Sequence, residues 1–178
     1  TFDFISDRLL DKIRAEGRTL RAPGADYRAI LVPPTGHMPV ETFSRLLDLA
    51  SAGATVVFAD ALPADVPGFG SLESRRARYK ALCEQLRFDT AIPSGARLAA
   101  VGQGRVLVGP VEAALTGAGL KRESLADHKG LEFIRRIDGA AREYFIANRS
   151  AQPLLSWVPL AHPAASVVLM DPMTGATG

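Results

Sequence analysis

The stretch 29-AILVPPTGHMPVETFSRLLDLASAGATVVFAD-60 decides the fold. Ala29-Ile30-Leu31-Val32 is a continuous apolar run, which suits a strand buried on both faces, and Pro33-Pro34 stops it. Val40, Phe43, Leu46, Leu47 and Ala50 then recur at helical spacing, with Pro39 suited to a first helical position and Gly53 to the C-terminal cap. Thr55–Ala59 is a second apolar run. Strand, helix and strand with short links make a βαβ unit, with parallel strands and a right-handed crossover.

The flanks extend this grammar. On the N-terminal side, residues 2–5 (FDFI) read as a short strand, and Ser6 or Asp7 caps a helix predicted over 7–17 that ends at Gly17. On the C-terminal side, 60-DALPADVPGFG-70 is a loop. Ser71 caps a helix over 71–86 whose apolar side is Leu72, Tyr79, Leu82, Cys83 and Leu86. The segment 102-GQGRVLVG-109 is a tight turn feeding a strand, and a brief helix follows from Val111 to Leu115. These elements predict an α/β domain with a Rossmann/flavodoxin-like, doubly wound parallel sheet and flanking helices over residues 1–126.

From Leu131 the pattern changes. The stretch 131-LEFIRRIDGAAREYFIANRS-150 is two strand-length runs around Asp138-Gly139, a hairpin signal. The runs 154–160 and 166–172 read as further short strands separated by prolines. Residues 127–178 are therefore expected to form a small antiparallel β extension or a partial β-sandwich. The boundary falls in the polar stretch KRESLADHKG.

Composition narrows the function. The chain has 178 residues, 47% hydrophobic and 22% charged, so it can bury a core. A net charge of +2 from 21 basic and 19 acidic residues argues against nucleic acid as a partner. No apolar run approaches the roughly 20 residues of a membrane helix. Cys83 is the only cysteine, so no intrachain disulfide can form. The start at Thr1 and the TGATG end read as those of a piece of a longer chain.

Few residues nominate themselves for chemistry. Gly102-x-Gly104 lacks the third glycine of the dinucleotide fingerprint and opens a strand rather than a helix, so no nucleotide cofactor is expected. Cys83 lies within a helix, where it packs as a small hydrophobe. The basic run 75-RRARYK-80 reads as a solvated helix face with Tyr79 inward. His37, His128 and His162 lack ligand spacing, so no metal is expected. His37 stands just past the carboxyl end of a parallel strand, where open α/β sheets bind ligands, and Asp60 and Asp65 share that edge. Arg135 falls on the mostly apolar face of Leu131, Phe133 and Ile137. Its partner is either a carboxylate across the hairpin, such as Glu143, or a domain outside this chain. Asn148-Arg149-Ser150 matches a glycosylation sequon. His37, Asp60, Arg135 and Asn148 are the candidates for ligand or domain contact.

The ordered set 27-YRAILVPP-34, 38-MPVETFSRLLDLASAGATVVF-58, 102-GQGRVLVG-109, Phe133-Ile134 with Arg136, Tyr144-Phe145-Ile146-Ala147-Asn148 and 170-MDPMTG-175 resembles the C-terminal, non-barrel part of the α-L-rhamnosidases of glycoside hydrolase family 106. One departure is Arg135, where the family pattern often carries histidine. The first half is also similar to the amidotransferase-like domain of multidomain β-galactosidases. The resemblance implies a class I glutamine amidotransferase-like accessory domain followed by the start of a β-domain. The parent enzyme it implies is periplasmic or secreted and bacterial, and removes terminal α-L-rhamnose from plant glycans or glycosides. Its catalytic carboxylates belong to an N-terminal barrel, which becomes the expected partner of this chain, and no catalytic residue maps onto this sequence. The alternative is a carbohydrate-binding module without hydrolytic activity. That would need exposed aromatics among Trp157, Tyr27, Tyr79 and Tyr144, most of which alternation assigns to the core.

Overall fold

The five residues Thr55–Ala59 are all buried, and the sheet around them explains why. A computed structural model describes residues 2–93 and 95–178, with the side chains of Thr90 and Ala91 left out. The chain forms two units, residues 2–120 and residues 121–178.

The first unit opens with α1 (Asp7–Leu10), β1 (Arg14–Glu16), β2 (Thr19–Ala22) and β3 (Ala25–Tyr27). It continues with β4 (Ile30–Val32), α2 (Val40–Ser51), β5 (Thr55–Ala59) and α3 (Leu72–Glu84). β6 (Thr90–Ala91), β7 (Arg97–Val101), β8 (Gly104–Gly109) and α4 (Val111–Gly117) complete it. The main sheet has the order β4-β5-β8-β7-β6. β4, β5 and β8 run parallel, whereas β7 and β6 are antiparallel to their neighbours. This is an α/β fold on a mixed sheet.

Alternation along β5 and β8 divides the core in two. Val56, Phe58, Val106 and Val108 join Phe43 of α2 and Tyr79 of α3 in one cluster. Val57 and Leu107 join Ala114 and Ala118 of α4 in the other. The Phe43 ring sits 5.7 Å from Phe58 and 4.8 Å from Tyr79, centroid to centroid. Burying either phenylalanine contributes about 2–3 kcal/mol. The predicted apolar stripe of α2 is buried throughout. Pro39 stands one residue before the helix, at its N-cap.

Turns set the tightest packing. Gly102-Gln103 links β7 to β8 as a two-residue hairpin. A Cβ at Gly104 would lie 2.3 Å from the carbonyl oxygens of Ala50 and Ala54. The glycines here serve close backbone packing against the end of α2.

Several expectations fail for clear reasons. Residues 2–5 form no strand, and the predicted helix over 7–17 is only one turn. Gly17-Arg18 and Pro23-Gly24 are two-residue hairpin turns, and both glycines have positive φ. They convert 14–27 into the small sheet β1-β2-β3. Ser71 precedes α3 but makes no cap bond, because its own backbone is left-handed (φ 49°, ψ 36°). The stretch before Gly102 holds strands β6 and β7, which sequence pattern left irregular.

The second unit contains a single 3-10 turn (Ser124–Asp127) and the hairpin β9 (Leu131–Asp138) and β10 (Ala141–Asn148). Asp138 pairs with Ala141, so Gly139-Ala140 is the loop, and Gly139 takes φ 54°. The predicted strands at 154–160 and 166–172 are absent among the described residues, apart from a bridge between Met170 and Thr177. Pro153, Pro159 and Pro163 remove backbone donors there. Other groups hold the segment: Ser124 Oγ donates to the Pro159 carbonyl (2.9 Å). The MDPMTG element is a side-chain-capped turn, with Asp171 accepting from Met173 N (2.8 Å) and Thr174 Oγ1 (2.7 Å). The extension is thus a hairpin with an irregular tail, not a sandwich.

Candidate functional site at the carboxyl edge of the parallel strands

β4 and β5 end side by side, and their loops are tied together. His37 and Asp65 form a parallel bridge. Met38 N donates to the Asp65 carbonyl (3.0 Å), and Ala64 N and Asp65 N donate to the Gly36 carbonyl (3.0 and 3.2 Å). Between the strand ends lies an open crevice of about 320 Å³ lined by Pro34, Thr35, Gly36, Ala59, Asp60 and Ala61. A second cavity of about 260 Å³ opens beside it and includes Asp7, Thr35, His37 and Thr42. His37 and Asp60 therefore share one edge, as their positions predict.

Asp60 has an unusual backbone. Its φ is 63°, and Ala61 N donates back to the Ala59 carbonyl at 2.8 Å. This is the tight γ-turn with positive central φ, a strained form. Asp60 N donates to the Gly109 carbonyl (2.8 Å), which fixes the turn to the end of β8. The carboxylate itself is exposed and has no hydrogen bond or ion pair among the described residues.

Asp65 is the opposite case. Its Oδ1 accepts from Arg76 Nε (2.9 Å) and Val66 N (2.8 Å), and Oδ2 accepts from Arg76 Nη2. Hydrogen bonding from Arg76, then from Val66 N, holds this carboxyl down to about 2. Arg75, one residue earlier, donates to three loop carbonyls, those of Pro67, Gly68 and Gly70. Phe69, inside the clamped loop, is 93% exposed. The basic run of α3 is thus partly a loop anchor, where sequence suggested only a solvated face. Tyr79 is buried, as expected, and donates to the Pro63 carbonyl. Burial pushes its hydroxyl well above its ordinary value, and it also pushes the Cys83 thiol up.

Arg135 and Asn148 lie on the hairpin of the other unit. Arg135 does not pair with Glu143, whose cross-strand neighbour is Arg136. Its Nη1 donates to Glu123 Oε2 at 3.0 Å, and Tyr144 OH donates to the same oxygen at 2.8 Å. Ala161 N donates to Glu123 Oε1 at 2.7 Å. Glu123 is 8% exposed. Sequence reading missed it because it sits in a stretch that looks like a polar linker. Asn148 Nδ2 donates to the Gln152 carbonyl (2.8 Å), and its Oδ1 accepts from Ser150 N (2.9 Å) and Ser150 Oγ (2.6 Å). It shapes the turn after β10.

Among the described residues no helix is long and apolar enough to cross a membrane, and no three His, Cys, Asp or Glu side chains gather as metal ligands.

With this geometry in place, comparison with known proteins is informative. A family model described as alpha-L-rhamnosidase, of glycoside hydrolase family 106, matches residues 1–177. The chain belongs to that family. Among solved structures, it is similar to the rhamnosidase from Novosphingobium sp. PP1Y, with 26% identity and a TM-score of 0.61. That match covers 80% of this chain and 14% of the Novosphingobium enzyme, so this rhamnosidase-family chain spans a small part of that enzyme's length. A search of curated proteins found no match.

Proposed function

We propose that this chain is a non-catalytic accessory region of a larger α-L-rhamnosidase that removes terminal α-L-rhamnose from glycans or glycosides. The observation that carries the reading is the family match over residues 1–177 in a chain spanning 14% of a solved rhamnosidase. The site geometry supports it. Glycoside hydrolysis ordinarily uses two carboxylates flanking the bond. The crevice lining contributes one carboxylate, Asp60, and the second cavity one, Asp7, which accepts from Thr42 Oγ1 at 3.0 Å. The parallel order β4-β5-β8 with helical clusters on both faces supports an amidotransferase-like, Rossmann-type ancestry for residues 2–120. Asp60 stands on a sharp turn after the interior strand β5, where such folds often place a nucleophile, yet carries no thiol or hydroxyl.

The partner in this account is the catalytic barrel of the same enzyme. Exposed apolar side chains in residues 121–178 favour such a cover: Ile134 and Phe145, cross-strand neighbours in the hairpin, are both exposed, and Leu155 is fully exposed. Patches of this kind mark interaction surfaces. Hydrogen exchange tests the contact. Amides of 144–147 should exchange more slowly in a full-length family enzyme containing this chain than in the chain alone, and equal rates would contradict the docking.

A carbohydrate-binding module is the second reading. Trp157 is 97% exposed rather than core, and Phe69 is exposed in the loop that Arg75 clamps. Tyr79 and Tyr144 are engaged internally by Pro63 and Glu123.

A further inference from the structure

We propose that the crevice between the ends of β4 and β5 is a pyranose-binding subsite in which the Asp60 carboxylate accepts hydrogen bonds from two adjacent sugar hydroxyls. The inference rests on the rhamnosidase reading for its ligand class and on local geometry for its place. Ligands of open α/β sheets bind outside the carboxyl ends of the strands, and this crevice lies there. Its volume of about 320 Å³ suits a single small ligand. Pro34, Gly36, Ala59 and Ala61 give it small or rigid walls. The Thr35 hydroxyl donates its proton to the His37 carbonyl (2.9 Å), so Asp60 is the charged side chain in the lining and carries no intramolecular partner among the described residues.

Asp60 is where the strain and the free charge coincide. Apart from Ser71, every other positive-φ residue described is glycine. Glycine at position 60 would remove the strain, so the aspartate costs stability and supplies a carboxylate. An ionised carboxylate only accepts, through two oxygens, and a vicinal diol presents two donors at matching separation. A calcium ion takes six to eight oxygen ligands. The single carboxylate of this lining is far from such a set, and a phosphate would be repelled by it.

The test is amide NMR on the 178-residue chain. Millimolar L-rhamnose, D-galactose or D-glucose should shift the amides of Gly36, Asp60 and Ala61. Asp60→Gly should abolish those shifts while leaving the melting temperature unchanged or higher. Asp60→Asn, which keeps the shape and tolerates left-handed backbone, should weaken binding about tenfold. The proposal is overturned if no sugar shifts these amides, if calcium chloride shifts them and no sugar does, or if Asp60→Gly binds sugar as the parent does. Binding of D-glucose without L-rhamnose would support the subsite and count against the rhamnoside reading. Absence of all sugar binding would remove the subsite alone, because hydrolysis by a full-length enzyme tests the family role separately.

Discussion

Arg135 and Tyr144 face each other across the hairpin and donate to the same oxygen of Glu123, at 3.0 and 2.8 Å. With Ala161 N on the other oxygen, one carboxylate ties the hairpin to the irregular tail. Burial alone would raise the Glu123 carboxyl. Its donors outweigh that and hold it below its ordinary value of 4.5.

Removing the charge should therefore loosen the tail. Glu123→Gln is expected to weaken residues 121–178 by about 2 kcal/mol, since three donors lose an ionised acceptor. Hydrogen exchange at Ala161 and along β10 reads this directly. Exchange unchanged from the parent would refute the anchoring role.

Acid should act on the same node. A carboxyl with a lowered folded value contributes stability above the unfolded value, and that stability is lost as pH falls through the folded value. Protection of β10 should hold above pH 4.5 and decline below it. Glu123→Gln should flatten that decline, as followed by exchange at a series of pH values.

Arg76 sets the charge state of Asp65. Arg76→Met should raise the Asp65 carboxyl from about 2 toward its ordinary 3.8. Carboxyl carbon NMR across an acid titration checks this. The linked stability is present above pH 3.8 and disappears toward pH 2, so the variant, which keeps only the Val66 N bond, should show less of that acid dependence.

Gly53 takes φ 120°, and a Cβ there would lie 2.3 Å from the Gly17 carbonyl oxygen. Gly53→Ala should cost about 2–3 kcal/mol through overpacking and backbone strain. Thermal melting followed by circular dichroism would show it. A variant as stable as the parent would mean that the β1–β2 turn moves aside freely.

The legibility of the sequence varied along the chain for physical reasons. β4, α2 and β5 could be read because their apolar period and their burial agree: two-sided burial gives unbroken runs, and one-sided burial gives a helical stripe. Residues 7–17 misled, and 18–27 carried no element, because strands of three or four residues are too short to show a period, so only Gly17-Arg18 and Pro23-Gly24 carried the signal. At 154–172 apolar residues suggested strands, but prolines and side-chain bonds to Glu123 and Ser124 decided the backbone. The edge position of His37 and Asp60 followed from topology. The strain at Asp60, the Arg75 clamp and the Glu123 node did not, because each depends on backbone angles or on partners that no sequence period announces.

The central claim is that this chain supports rhamnoside hydrolysis without performing it. The most direct test is release of chromophore from a chromogenic α-L-rhamnoside by the purified chain beside a full-length family enzyme. The account predicts turnover by the full-length enzyme and none above background by this chain. Turnover by the chain alone, lost in Asp60→Asn, would contradict it and place the catalytic carboxylate in the crevice at the end of β5.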